Sequence, residues 1–151
     1  MYINESLVSV PYAQLDCNGC EDAVWALTNA GSDNRILVAN IYRSSNSSEE
    51  NNSKLLELLA LAKQQAKITH LLVMGDFNMP EIDYNDYSVA GLDFSFPMRF
   101  FNLSQALFLI QHMFEATRFR DDQTPSKLDY VFTSEENLIE NLKVYSTFKI
   151  E

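Results

Sequence analysis

Two apolar runs separated by one amphipathic segment constrain the fold of this chain more than any other feature of its sequence. The runs cover 36–42 and 69–74, and both have the length of buried strands. Between them, leucines and alanines recur at helical spacing over 55–66, which predicts a helix of about five turns that ends near Lys67. A strand, a helix and a strand in this order predict a crossover that makes the two strands parallel neighbours.

Shorter patterns predict the rest of an α/β domain. The helix should begin at Ser47, because Ser47 and Glu50 have capping-box spacing. Segments 7–10 and 23–28 predict strands that form an antiparallel meander with the first apolar run. The remaining predicted elements are an acidic loop over 80–93, a helix over 96–114, and strands over 116–119, 127–133 and 141–146. This order fits a single α/β domain with mixed sheets over 1–151.

The two cysteines form a C-x-x-C pair whose chemistry the sequence leaves incomplete. Cys17 and Cys20 could be half of a zinc site or a redox pair. No second pair accompanies them, and His70 and His112 are far along the chain. Because the intervening Asn18-Gly19 is a strong hairpin signal, the pattern favours two reduced thiols that flank a turn.

The balance of charge limits the substrates that this chain can bind unaided. It carries 21 acidic and 11 basic residues, for a net charge of −10. A protein that binds a nucleic-acid duplex by itself usually has a basic face, because phosphate contacts supply most of its affinity. We therefore expect a small substrate, or a basic surface from elsewhere, or a metal ion that neutralises charge locally.

No segment of the sequence predicts export or membrane insertion. The longest apolar run falls short of the roughly 18 residues that span a bilayer. The start of the chain lacks the basic and long apolar segments of a secretory signal. These features predict an intracellular protein, nuclear or cytoplasmic, with no membrane partner.

Candidate catalytic groups follow the second apolar run directly, in the segment Gly75-Asp76-Phe77-Asn78. The carboxyl ends of strands in α/β sheets are where functional groups gather. In an extended stretch, Asp76 and Asn78 would point to one side. A carboxylate beside an amide can hold a water molecule or a metal ion and donate to a phosphate oxygen. The alternative is an Asx turn at the end of a strand.

A second carboxylate, Asp129, interrupts the apolar segment 128–132. A buried aspartate is uncommon unless it is paired or acts as a ligand, and in an active site it often orients a histidine. The alternative is a strand whose Asp129 faces solvent while Leu128, Tyr130 and Phe132 are buried.

Hydrogen-bond donors for a phosphate group follow the first apolar run. Tyr42, Arg43 and Asn46 offer a phenol, a guanidinium and an amide at the end of a strand. Arg118 is a cationic candidate for the same anion. Taken alone, 42–46 is also compatible with a polar loop that leads into the helix.

The order and spacing of three segments resemble the endonuclease/exonuclease/phosphatase superfamily. The segments are 41–46, 73–78 and 128–132. The residues of these segments are most similar to those of the endonuclease domain of LINE-type non-LTR retrotransposons. In that domain Tyr-Arg, Gly-Asp-Phe-Asn and Thr-Arg leading to Leu-Asp occur in this order. The resemblance implies a deoxyribonuclease-I-like fold, a four-layer sandwich in which two mixed β-sheets pack face to face with helices outside.

The resemblance also implies an activity and roles for the matching residues. It implies hydrolysis of DNA phosphodiesters, as nicking, with Mg²⁺ as cofactor and Mn²⁺ as an alternative. Asp76 would act on the attacking water or the leaving oxygen and is the candidate metal ligand, and Asn78 would bind the scissile phosphate. Tyr42 and Asn46 would contact the phosphate, and Asp129 would orient the catalytic histidine.

Three members of the family's site have no counterpart in this sequence. Glu5 and Glu21 lack the setting of the metal-binding glutamate. Ser146 is followed by Thr147-Phe148 where the family has a metal-binding aspartate and the catalytic histidine. We therefore expect a partial domain, truncated at both ends and part of a larger polyprotein, that hydrolyses phosphodiesters poorly or not at all alone. The alternatives are a phosphatase-like member that acts on a phosphoinositide or another small phosphoester, and a folded remnant without catalysis.

Overall fold

The structure is a computed structural model that describes residues 7–16, 20, 22–31, 34–119 and 124–143. The strands in this part of the chain are β1 (Val8–Pro11), β2 (Ala23–Asn29), β3 (Arg35–Tyr42), β4 (His70–Asp76), β5 (Ile82–Asp83), β6 (Ser88–Val89), β7 (Ile110–Gln111) and β8 (Asp129–Thr133). The helices are α1 (Ala13–Asp16), α2 (Glu49–Lys63) and α3 (Phe96–Ala106), and a 3₁₀ turn follows at Glu136–Leu138.

The strands form a six-stranded mixed sheet in the order β1-β2-β3-β4-β8-β7 and a two-stranded hairpin of β5 and β6. Antiparallel pairing of β1, β2 and β3 confirms the predicted meander. β3 and β4 are parallel neighbours joined by α2, which confirms the predicted crossover. β8 then pairs antiparallel with β4, so β4 lies at the centre of the sheet. The predicted mixed α/β fold with two sheets is confirmed.

The crossover helix α2 is shorter than predicted at both ends. Its N-cap is Ser48 rather than Ser47, and the Ser48 hydroxyl accepts a hydrogen bond from the Asn51 N–H at 3.1 Å. The helix ends at Lys63, because its buried stripe stops at Ala62 and the following residues have no apolar face to pack. None of the helices in the described part of the chain is long and apolar enough to cross a bilayer.

Both long helices pack on one face of the six-stranded sheet. Side chains alternate along a strand, so every second residue of the central strands enters the core beneath α2 and α3. The core face consists of Trp25, Leu37, Ala39, Ile41, Leu71, Val73, Tyr130 and Phe132. Phe77 extends it with ring contacts of 5.0 Å to Phe100 and 5.9 Å to Tyr130. The residues between them, which include Tyr42, Asp76 and Asp129, therefore face the other side of the sheet.

Several predicted bounds beyond β4 are wrong. α3 ends at Ala106 rather than near 114, because Phe108 has a positive φ of 54° that a helix cannot accommodate, and the chain then enters β7. The acidic loop over 80–93 contains the β5–β6 hairpin.

Two predicted strands are not formed as strands in the described residues. Other predicted features lie outside the described residues. The strand over 116–119 reduces to a single bridge between Arg118 and Ser126. Of the strand over 141–146, residues 141–143 are not in a strand and the rest lie outside the described residues. The Asn18-Gly19 turn and Cys17 also lie outside them, whereas Cys20 is a free thiol.

Candidate active site

The carboxyl end of β4 brings three of the predicted site residues into one row. Asp76 ends β4 and is the register partner of Tyr42 on β3 and of Asp129 on β8. Paired residues on neighbouring strands point to the same face, and neighbouring strands are about 4.8 Å apart. The phenol and the two carboxylates therefore share one edge and one face of the sheet, within about 10 Å. We call Tyr42, Asp76 and Asp129 the acidic row.

The turn that follows β4 is an Asx turn built on the acidic row. The Asn78 N–H donates to Asp76 Oδ1 at 3.0 Å, and Asn78 adopts a positive φ of 49° that asparagine tolerates better than most residues. The Asn78 amide also donates through Nδ2 to the Arg43 carbonyl at 2.9 Å. An ionised carboxylate accepts about four hydrogen bonds, so Asp76 keeps acceptor capacity for a water molecule or a cation.

Gly75 determines how closely β4 approaches β3 just before Asp76. Its φ is +138°, and a Cβ built there would lie 1.9 Å from the carbonyl oxygen of Ile41. A side chain at this position would prevent the close approach of the two strands. The glycine keeps the ends of both strands in register at the acidic row.

The electrostatic environment of Asp76 favours its protonated form. Burial raises the pKa of Asp76 above its ordinary value, the Asn78 N–H bond opposes that rise, the charge of Asp129 adds to it, and Arg118 partly offsets it. A carboxylate beside a second carboxylate binds a proton or a cation more readily than an isolated one. Perturbation of this kind is typical of catalytic and metal-binding carboxylates.

Thr117 positions Asp129, a role that the sequence patterns did not predict. Its hydroxyl oxygen accepts hydrogen bonds from the N–H groups of Leu128 and Asp129, both at 3.1 Å. Arg118, the next residue, forms a bridge with Ser126 and lies within electrostatic range of Asp76. The Thr-Arg pair before Leu-Asp was the available signal, but the bond spans 12 residues and no local pattern reveals it.

The remaining predicted phosphate ligands differ in their availability. Tyr42 is 66% exposed, so its hydroxyl can meet a ligand. Asn46 lies in an exposed loop, and no hydrogen bond among the described residues joins its side chain to the acidic row. The guanidinium of Arg43, predicted as a phosphate donor, is buried beneath the turn, where an external phosphate cannot reach it.

Neither histidine of the chain lies near the acidic row. His70 begins β4, so about 20 Å of strand separates it from Asp76. His112 lies just after β7 rather than within a helix, and its Nε2 is 2.6 Å from the Thr133 hydroxyl at the far end of β8.

The acidic row supplies two oxygen ligands that suit a hard cation. Among the described residues, no group of three or more His, Cys, Asp and Glu side chains could hold a metal ion. Mg²⁺, however, often takes one or two carboxylates and completes its shell with water and substrate phosphate. Asp76 and Asp129 fit that smaller requirement.

Comparison with known proteins shows the fold and the family of this chain. The structure is similar to the endonuclease domain of TRAS1, a telomere-specific non-LTR retrotransposon, with a TM-score of 0.59 and 16% sequence identity over 86% of this chain and 55% of that chain. This chain therefore spans just over half the length of that domain, and the likeness confirms the deoxyribonuclease-I-like fold. No curated protein matches the sequence. The sequence model of the endonuclease-reverse transcriptase family matches residues 36–148, which include the whole acidic row, and the chain belongs to that family.

Proposed function

We propose that this chain is part of the DNA endonuclease domain of a retrotransposon-type reverse transcriptase protein, and that its acidic row takes part in metal-dependent phosphodiester hydrolysis. The register of Tyr42, Asp76 and Asp129 on three neighbouring strands carries the proposal. It gathers a phenol and two carboxylates at the carboxyl end of the central strand, from three segments that are distant in the sequence.

Each residue of the site has a distinct task in the proposed reaction. Asp76 acts on the attacking water through the acceptor capacity that its carboxylate keeps beside the Asn78 N–H bond. Tyr42 and Arg118 stabilise the non-bridging phosphate oxygens as charge develops on them. Asn78 has one N–H engaged with the Arg43 carbonyl, and its second N–H remains for the scissile phosphate.

Magnesium is the proposed cofactor, with Mn²⁺ as an alternative. Asp76 and Asp129 would hold the ion, because both are carboxylates of one row and no histidine lies within reach of Asp129 for it to orient. When bound, the ion polarises a phosphoryl oxygen and stabilises developing negative charge.

DNA is the proposed substrate, although the chain's own charge opposes its binding. The net charge of −10 repels a polyanion, and Arg118 is the cation that interacts with Asp76 in the described structure. We propose that the basic surface comes from other parts of a larger polyprotein. An endonuclease assembled this way should bind DNA with strong dependence on salt.

We further propose that this chain alone does not nick DNA. Its two histidines lie at the opposite end of the sheet from Asp76, so the acidic row lacks an imidazole as acid or base. Loss of one member of a concerted site removes most of its activity.

The test combines a metal-binding arm with an activity arm. Titration with Mn²⁺, followed by NMR line broadening, should affect residues around Asp76 and Asp129 first and should fail to do so in Asp76→Asn. Asp83→Asn is the matched control, because Asp83 also accepts from the N–H two residues on, at 2.8 Å, but belongs to the β5–β6 hairpin. Broadening centred away from the acidic row would overturn the metal site.

The activity arm measures nicking of supercoiled plasmid with Mg²⁺. We expect wild type, Asp76→Asn and Asp83→Asn to give the same background. Nicking that requires metal and disappears only in Asp76→Asn would support the endonuclease and contradict the proposed inactivity of the isolated chain.

A further inference from the structure

Arg43 is a buried arginine directly after β3. It is 6% exposed, which is unusual for an arginine unless its guanidinium is fully engaged. Its Nε donates to Asn52 Oδ1 at 2.7 Å, and its Cζ lies 4.0 Å from the centre of the Phe96 ring. Asn52 on α2 and Phe96 on α3 therefore hold the guanidinium from both long helices.

Arg43 bonds to the last residue of β4, Asp76, and to Phe77 and Asn78, which follow it. The Arg43 N–H donates to the Asp76 carbonyl at 2.8 Å, and one terminal guanidinium nitrogen donates to the Phe77 carbonyl at 3.1 Å. The Arg43 carbonyl accepts from Asn78 Nδ2 at 2.9 Å. Backbone and side chain together thus fix the turn that carries two of the proposed catalytic groups.

The Arg43 side chain links the turn after β4 to helix α2, which the Arg43 backbone contacts do not. A guanidinium presents its donors in a rigid planar fork, so one arm can bond Asn52 while another bonds the Phe77 carbonyl. Asn52 is itself buried, and its side chain bonds to Arg43 and to the Ser47 carbonyl. A change at Asn52 therefore reaches the turn through the Arg43 guanidinium.

We propose that Arg43 is a positioning residue that sets the orientation of Asp76 and Asn78, and that Asn52 acts on this turn through Arg43. The proposal rests on the proposed function only where it treats the turn as part of a reactive site. The contacts themselves do not depend on whether the chain cleaves DNA. The competing explanation is that Arg43 only fills the space between α2, α3 and the sheet.

The test uses a spectroscopic signal of the turn rather than activity. In the wild type, the Asn78 side-chain amide should exchange with water about tenfold more slowly than that of the exposed Asn102, because it is bonded to the Arg43 carbonyl. Arg43→Lys keeps the positive charge but removes the planar guanidinium that bonds Asn52 and the Phe77 carbonyl together. Asn52→Leu keeps the side-chain volume but removes the Oδ1 that accepts from Arg43 Nε. Both should abolish the slowing at Asn78, while amides of the sheet core at Leu37 and Val73 stay protected.

Asn51→Leu is the matched control, since Asn51 is the neighbouring asparagine of α2 and bonds to Asp22 and Ser47 instead. It should leave the Asn78 signal within about twofold of the wild type, as for a residue whose side chain does not bond to Arg43. A folded Asn52→Leu that keeps the slow Asn78 exchange would overturn the positioning role and leave Arg43 as a packing residue.

A wild-type measurement keeps the proposal testable if both variants unfold. The Arg43 Nε–H should exchange at least about tenfold more slowly than that of the exposed Arg35, because it is buried and bonded to Asn52. Equal exchange at the two arginines would contradict the network from which the proposal is built. Absence of plasmid nicking would bear on the proposed function alone.

Discussion

Asp76 and Asp129 are register partners on neighbouring antiparallel strands, and both point to the face of the sheet opposite α2 and α3. Two carboxylates in this relationship repel each other when both are ionised. Arg118 partly compensates for that repulsion at Asp76. The charges of Asp129 and Arg118 therefore shift the pKa of Asp76 in opposite directions.

This coupling predicts opposite effects of two substitutions on one measured quantity. Asp129→Asn should lower the pKa of Asp76, because it removes a negative charge that raises it. Arg118→Gln should raise the pKa of Asp76, because it removes a positive charge that lowers it. Titration of the Asp76 side-chain carboxyl by ¹³C NMR in both variants measures the shifts, and shifts in the same direction would contradict the arrangement.

Asp76→Asn should stabilise the fold at neutral pH while weakening the proposed metal site. Burial raises the pKa of Asp76, so its ionised form is less favourable in the folded chain than in the unfolded chain. The asparagine Oδ1 can still accept the Asn78 N–H bond. We expect the free energy of unfolding at pH 7 to rise by about 0.5 kcal/mol, after discounting for solvent screening of a half-exposed group.

The sign of this effect gives it a pH dependence. The wild-type stability that depends on Asp76 is fully present below the ordinary aspartate pKa and is lost as pH rises through the raised pKa. The advantage of Asp76→Asn should therefore shrink at pH 3, where the wild-type carboxyl is neutral too. Urea unfolding at the two pH values measures the difference, and an equal advantage at both would show that charge is not its cause.

Gly75→Ala should be among the most damaging single substitutions in the sheet. A methyl group there would meet the Ile41 carbonyl oxygen at 1.9 Å on a backbone whose φ is +138°. We expect a loss of about 3 kcal/mol or more from the clash and the strain together. Gly31→Ala is the control, because Gly31 also has a positive φ of 108° but no atom of the described residues lies within 4 Å of the position that its methyl group would take.

The control isolates the steric part of the effect. Gly31→Ala should cost about 1 kcal/mol from backbone strain alone. Urea unfolding of both variants measures the two losses, and equal losses would mean that close approach of β3 and β4 is not the reason for Gly75.

Thr117→Val should weaken the segment that holds Asp129. The valine keeps the shape of threonine but removes the oxygen that accepts from the N–H groups of Leu128 and Asp129. We expect a loss of about 1–2 kcal/mol in the free energy of unfolding, whereas Thr117→Ser should retain most of the stability. If chemical denaturation finds the serine and valine variants equally unstable, packing of the methyl group rather than the hydroxyl explains Thr117.

The sequence was sufficient for the parts of the fold that periodicity encodes. Apolar runs and helical spacing predicted β3, α2 and β4 and therefore the parallel crossover, since a single right-handed connection joins such strands. Asp76 and Asp129 were predicted as site residues because each is a carboxylate beside an apolar run, and the structure places them at the end of β4 and the start of β8. Their placement in one row with Tyr42 required the register, which three short segments do not specify by themselves.

The errors share a cause, which is that the deciding contacts join residues distant in the chain. The run of Phe and Leu after Phe96 continues past 106, yet the helix stops there because the chain must turn at Phe108 to pair β7 with β8. Arg43 was predicted as an exposed phosphate donor next to Tyr42, but Asn52, Phe77 and Phe96 enclose it. No local pattern contains those partners.

Residues that maintain the fold alternate with proposed site residues over four consecutive positions. Gly75 and Phe77 maintain the fold, and Asp76 and Asn78 belong to the proposed site. Gly75 and Phe77 are held by the β3 backbone and by the aromatic core, whereas the Asp76 carboxylate lies on the other face and is destabilised by burial and by Asp129. In a gene copy under selection for folding but not for cleavage, the glycine and the phenylalanine would be preserved and the acid would not. A descendant of this chain could therefore keep its entire sheet after it has lost the carboxylate of the proposed site.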